Sequence, residues 1–104
     1  MQIVMDLDGT LCTEEPTFRR SLAVPLPGAV AACAKLVEAG HTILIYSSRQ
    51  WLEYEMTVAW LQQHGFKYHQ LVLGKPVGHV WVDDRARRFT SWDDMLPRLE
   101  QLKG

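Results

Sequence analysis

The sequence predicts an α/β protein with a mainly parallel sheet and helices on both faces. Three observations carry that prediction. Short apolar runs rich in β-branched residues alternate with segments of helical periodicity. The first run, Ile3-Val4-Met5, leads straight into Asp6-Leu7-Asp8-Gly9-Thr10-Leu11. Polar residues capable of chemistry follow every apolar run: Asp6 and Asp8, then Ser47, Ser48 and Arg49, then Lys75, then Asp83 and Asp84. In a parallel sheet those positions share one rim, outside the carboxyl ends of the strands, where such folds bind ligands.

The elements follow in order. Residues 2–7 read as a first strand, with Asp6 and Asp8 on one face and Leu7 on the other, because strand side chains alternate. Two neighbouring carboxylates repel and lose hydration, so a hard divalent cation is the expected compensation. Residues 12–27 hold Glu14, Glu15, Pro16, Arg19, Arg20, Pro25 and Pro27 and read as an irregular excursion. Gly28 to Ala39 carries Val30, Ala31, Ala34, Leu36 and Val37 at helical spacing, with Pro27 at its start and Gly40 at its end. Thr42 to Tyr46 is a second strand, residues 50–64 a second helix closed by Gly65, and Gln70 to Leu73 a third strand. His79 to Val82 is expected as a fourth strand, which makes Trp81 a core residue. Ser91 caps a last helix to about Leu102, with Pro97 a point of splitting or bending.

Composition narrows the function classes. The chain has 104 residues, 47% of them hydrophobic, enough for one core, so residues 1–104 form a single domain. A net charge of -1 gives no global basic field for nucleic acid. Cys12 and Cys33 are the only cysteines and form no CxxC pair, which excludes a disulfide framework or a cysteine zinc site. No apolar run approaches the ~20 residues of a membrane span, and no basic-then-apolar leader opens the chain. The expectation is a soluble, cytoplasmic protein that does not associate with membranes.

The segments Asp6–Leu11, Ile43–Arg49, Gly74–Pro76 and Val80–Asp84 resemble, in order, the four motifs of the haloacid dehalogenase (HAD) superfamily. The resemblance runs from about Gln2 to Arg85. It implies a three-layer, Rossmann-like fold, and the spacing leaves no room for a cap domain. The chain looks most like small capless phosphatases, including those of capsular polysaccharide biosynthesis.

What the resemblance implies for the site is specific. Asp6 is the expected nucleophile, forming an aspartyl-phosphate, and Asp8 the general acid and then base. Lys75 neutralises charge on the phosphoryl group. Ser47 binds a phosphoryl oxygen, unless it caps the helix and Ser48 takes that place. Thr10 steadies Asp8. Mg²⁺ is held by the Asp6 carboxylate, the Asp8 main-chain carbonyl and Asp84, with Asp83 supporting the metal through water or orienting Lys75. An acid at Asp8 favours phosphate-ester cleavage over dehalogenation. Arg49 and Arg85 either touch substrate or form supporting salt bridges.

The expected reaction is hydrolysis of a phosphate monoester, a sugar or nucleotide phosphate being the preferred small-molecule substrate. Alternatives are a nucleic-acid-end or other macromolecular phosphatase, for which the basic run Arg85, Arg87 and Arg88 is the candidate contact, and a non-catalytic module that binds Mg²⁺ or phosphate. Residues 12–27, with Phe18, Arg19 and Arg20, are the only candidate lid. A second subunit in a homo-oligomer would be another way to close the site. Trp51 directly follows the second motif and either packs at the rim or stacks on a sugar or base. Trp60 is expected in the core and Trp92 in local packing. Cys12 lies near the motif without a required role.

Overall fold

The structure, a computed structural model, describes residues 1–102. Three parallel strands form one sheet: β1 (Gln2–Met5), β2 (Thr42–Tyr46) and β3 (Gln70–Val72), in that spatial order. Ile3 pairs with Ile43, Met5 with Ile45, and Leu71 with Ile45. Paired residues of parallel strands share a face, so these side chains form one apolar surface. Ile43 and Ile45 on it are fully buried. The opposite face is more open, with Leu44, Tyr46 and Val72 half-buried and Val4 58% exposed.

Helices α1 (Ala29–Glu38), α2 (Tyr54–Gln63) and α3 (Trp92–Glu100) complete the core. From α1 come Ala29, Ala32, Cys33 and Leu36, at positions i, i+3, i+4 and i+7, which places them on one face. From α2 come Trp60 and Leu61, and from α3 Trp92, Met95 and Leu99. Ser91 caps α3 by accepting the Asp94 N–H at 3.1 Å. The helix runs unbroken through Pro97, which forgoes one ladder hydrogen bond without splitting it. Segment 6–28, between β1 and α1, holds one 3-10 helix, Thr17–Leu22, and nothing large enough to be a cap.

Two expectations change. The start of the second helix is a separate 3-10 turn, Trp51–Glu53, where the Gln50 N–H donates to Glu53 Oε2 at 3.0 Å. More consequentially, His79 to Val82 forms no strand. Val80 and Val82 are largely exposed and Trp81 is 53% exposed, so Trp81 is not a core residue. Composition marks that run as strand-like but names no partner for it. In the folded chain it lies outside the sheet, and the Trp81 ring sits 5.0 Å from the Lys75 ammonium.

Candidate functional site

The loop after β1 is built on one carbonyl. Leu7 O accepts the N–H groups of Thr10 (3.1 Å), Leu11 (2.8 Å) and Cys12 (3.2 Å). Gly9 makes the turn at φ 85°, a conformation that side-chain-bearing residues avoid. Leu7, Leu11 and Cys12 are fully buried beneath it. Leu7 is turned inward, the Asp6 side chain is 40% exposed, and the Asp8 side chain, 13% exposed, meets the buried Arg49. Trp92 Nε1 donates to Thr10 O at 2.8 Å, so α3 braces this loop across the whole chain.

The loops after β2 and β3 are knitted together. Ser47 N–H donates to Val72 O, Lys75 N–H to Ser47 O and Gly74 N–H to Arg49 O, each at 2.9 Å. Gly74 adopts φ 79° and lies against the Trp51 ring. This geometry brings the Lys75 ammonium to 3.8 Å from Asp6 Oδ1. Asp6, Asp8, Ser47, Arg49 and Lys75 therefore converge at the carboxyl ends of the strands. A concavity lined by Gln2, Thr42, Leu44, His69 and Gln70 lies at the amino ends and holds none of them.

The two aspartates differ in their partners. Asp8 is gripped by Arg49: Nε donates to Oδ2 at 2.9 Å and Nη2 to Oδ1 at 2.8 Å. Arg49 is fully buried, and its Nη1 donates to Thr57 Oγ1 of α2 at 3.0 Å. Burial disfavours the Arg49 cation, but the hydrogen bonds and charge of Asp8 outweigh it and hold the guanidinium above its ordinary pKa. Among the described residues, Asp6 has only Lys75 and the Leu7 N–H, the latter at 2.8 Å. Burial raises its pKa above the ordinary carboxylate value, with Asp8 adding to the rise and the Leu7 N–H and Lys75 opposing it.

Arg49 is therefore not a substrate contact. It has no surface, and its forked side chain is committed to Asp8 and Thr57. Its Asp8 grip also performs the steadying expected of Thr10. Ser47 is fully buried and its Oγ accepts the Arg49 N–H at 3.1 Å, whereas Ser48 is exposed. Of the two serines, Ser48 is the one that faces solvent. Cys12 Sγ lies 3.6 Å from Asp8 Oδ1. Burial and the Asp8 charge push its thiol pKa up to about 12, and burial does the same to Cys33, so neither is a nucleophile near neutrality.

The structure does not bring Asp83 and Asp84 to this cluster. Among the described residues, no group of three or more His, Cys, Asp or Glu side chains is placed to hold a metal ion. Asp83 accepts the Arg85 N–H at 2.7 Å, and Arg85 Nε lies 3.6 Å from a carboxylate oxygen of each aspartate. The Arg85 N–H, more than any nearby charge, lowers the Asp83 pKa. Arg85, Arg87 and Arg88 are solvated. In the excursion, Arg20 Nη1 is paired to both Glu53 oxygens at 2.8 Å, which ties the 3-10 helix to the turn before α2, while Phe18 is 85% exposed.

The sequence reading missed Thr57 and the brace from Trp92. Thr57 was detectable: with Trp60 and Leu61 it marks the inward stripe of α2, so its hydroxyl needs a buried partner. No helix of the described residues is long and apolar enough to cross a membrane.

No protein-family model matches the chain, and no curated protein sequence does. Solved structures do. An MCSG target from Vibrio cholerae aligns at 24% identity with a TM-score of 0.71, covering 96% of this chain and 98% of that one. The Pnkp1/Rnl/Hen1 complex contains a chain that aligns at 19% identity with a TM-score of 0.62, over 99% of this chain and 35% of that one. A D,D-heptose 1,7-bisphosphate phosphatase from B. bronchiseptica, complexed with magnesium and phosphate, aligns at 21% identity with a TM-score of 0.54, over 82% of this chain and 53% of that one. The chain thus spans about half or less of the last two. At these identities the likeness establishes architecture: the chain carries a HAD-like α/β fold, with a parallel three-stranded sheet and, among the described residues, no cap domain.

Proposed function

We propose that this chain is a Mg²⁺-dependent phosphatase that hydrolyses a phosphate monoester through an aspartyl-phosphate on Asp6. The observation that carries this reading is the placement of Lys75 at 3.8 Å from Asp6, with Asp8 in the same loop. A lysine beside the attacking carboxylate is what lets it approach a phosphate dianion, since phosphoryl transfer is chiefly positioning and charge neutralisation. The fold likeness to a phosphatase complexed with magnesium and phosphate supports the same reading.

The reaction proceeds in two displacements. An Asp6 carboxylate oxygen bonds to phosphorus as the ester P–O bond breaks, and Asp8, which must first take up a proton while paired to Arg49, delivers it to the departing oxygen. Water then attacks phosphorus and gives a proton back to Asp8 as the bond to Asp6 breaks. Lys75 neutralises charge on the transferring group throughout, and the exposed Ser48 is the serine available to its oxygens. Mg²⁺ would be held by the hard Asp6 carboxylate, the Asp8 main-chain carbonyl and Asp84, with Asp83 supporting it through water, a set that the described residues do not bring together. Bound there, the ion would supply further charge neutralisation.

The preferred substrate is a sugar or nucleotide phosphate. The deciding experiment is phosphate release from an aryl phosphate, with Mg²⁺ and with EDTA, for the wild type and Asp6→Asn. Metal-dependent release lost in the variant supports the reading. Equal release from both moves the nucleophile elsewhere, and no release from either, with oligonucleotide-end phosphates also inert, favours a binding module.

A further inference from the structure

Arg49 is the largest of the fully buried side chains, and a buried cation is retained only where a partner compensates it. Its guanidinium makes two parallel bonds, at 2.9 and 2.8 Å, to the two oxygens of Asp8. A third bond, at 3.0 Å, runs to Thr57 on α2. The Arg49 backbone is fixed as well, its N–H held by Ser47 Oγ and its carbonyl by the Gly74 N–H. Asp8 has no comparable anchor of its own: it sits after the Leu7 carbonyl knot, and Thr10 makes no side-chain bond to it among the described contacts.

From this geometry we infer that Arg49 is a positioning residue: it aims the Asp8 carboxyl at the reacting group, and Thr57 in turn aims Arg49. The inference rests on the phosphatase reading above. A forked guanidinium fixes both the direction and the plane of a carboxylate, whereas a lysine ammonium is a point charge on a flexible stem. The chain Thr57–Arg49–Asp8 thereby couples the proton-transfer group to the inner face of a packed helix. It touches no substrate, because Arg49 has no exposed surface.

The consequence is selective, because Asp8 does not serve every step equally. A leaving group that departs readily as an anion, such as an aryl oxide, needs little protonation. An alkyl oxide needs it, and so does the water step for either substrate. Arg49→Lys is therefore expected to lower kcat for an alkyl phosphate by about 10²-fold, the lower range for a positioned acid or base. With an aryl phosphate the first turnover survives and the second slows. Aryl release then shows a burst, and phosphoenzyme, trapped with labelled substrate, accumulates on Asp6.

Thr57→Val loosens Arg49 without touching Asp8 and is expected to show the same pattern more weakly, so it decides the matter if Arg49→Lys fails to fold. A purely structural role would lower both substrates alike and leave no burst. That result, or unchanged kinetics in a folded variant, overturns the inference while the phosphatase reading stands. A wild type without Asp6-dependent release overturns both.

Discussion

The buried Asp8–Arg49 pair and the exposed cluster of Asp83, Asp84 and Arg85 have opposite settings. Asp8–Arg49 joins residues 41 apart, at 2.8 Å, with side chains 13% and 0% exposed. Asp83–Arg85 and Asp84–Arg85 join near neighbours, at 3.6 Å, with the arginine 84% exposed. The same charges are present in both. In the first, little water competes and every bond is directional. In the second, solvent screens the attraction and two mobile side chains must be ordered for little return. A sequence motif can therefore place equivalent residues at two strand-like ends while the fold gives only one of them a fixed geometry.

Breaking the buried pair is expected to have the largest effect. Arg49→Leu leaves Asp8 without its partner, and loss of one member of a buried pair costs about 3 kcal/mol here, the lower end because Asp8 keeps some contact with water. Urea unfolding followed by circular dichroism measures it, and a loss below about 1 kcal/mol would put the two pairs on the same footing. Thr57→Val, which orphans Arg49 Nη1, is expected to cost about 1.5 kcal/mol in the same assay.

The next prediction sharpens the contrast between the gripped Asp8 and the lightly held Asp6. Burial raises the Asp6 pKa above the ordinary carboxylate value, so its charged form is disfavoured in the folded chain. A raised folded pKa contributes stability that is complete below the unfolded value and lost as pH rises through the folded one. Asp6→Asn, in EDTA, is therefore expected to unfold at higher urea than the wild type at pH 7, with the gain vanishing as pH falls below the unfolded carboxylate value of about 3.9. An equal or lower midpoint at pH 7 would mean that Lys75 outweighs burial. The smallest effect belongs to Arg85→Ala, for which thermal unfolding is expected to be unchanged at low and high salt.

Much of this site was legible in the residues. The spacing Asp6-Leu7-Asp8 set the carboxylates opposite a buried leucine, and the bounds of β2 were read to the residue. Local alternation and chain punctuation settle such features, so they survive folding. The residues around Arg49 are compatible with either a substrate contact or a supporting salt bridge. The choice depends on Thr57, whose position relative to Asp8 is fixed only when α2 docks. Trp51 lies at the rim, 65% exposed and against Gly74.

The segment 79–82 teaches the complementary lesson. Its residues satisfy a strand's composition, yet β-propensity describes the surface a residue suits and not the neighbour it will find. Without ladder bonds, Val80 and Val82 stay in water and Asp83 turns to the Arg85 N–H.

By itself, then, the sequence determined the fold class, the convergence of Asp6, Asp8, Ser47, Arg49 and Lys75 at one sheet end, and the absence of room for a cap between β1 and α1. These follow from periodicity, from strand polarity and from segment length, all of which act over a few residues. Only the tertiary structure decided which arginine is buried, which serine meets solvent and which acids stand apart. Those outcomes turn on desolvation and on partners tens of residues away, and both are set by how the helices pack.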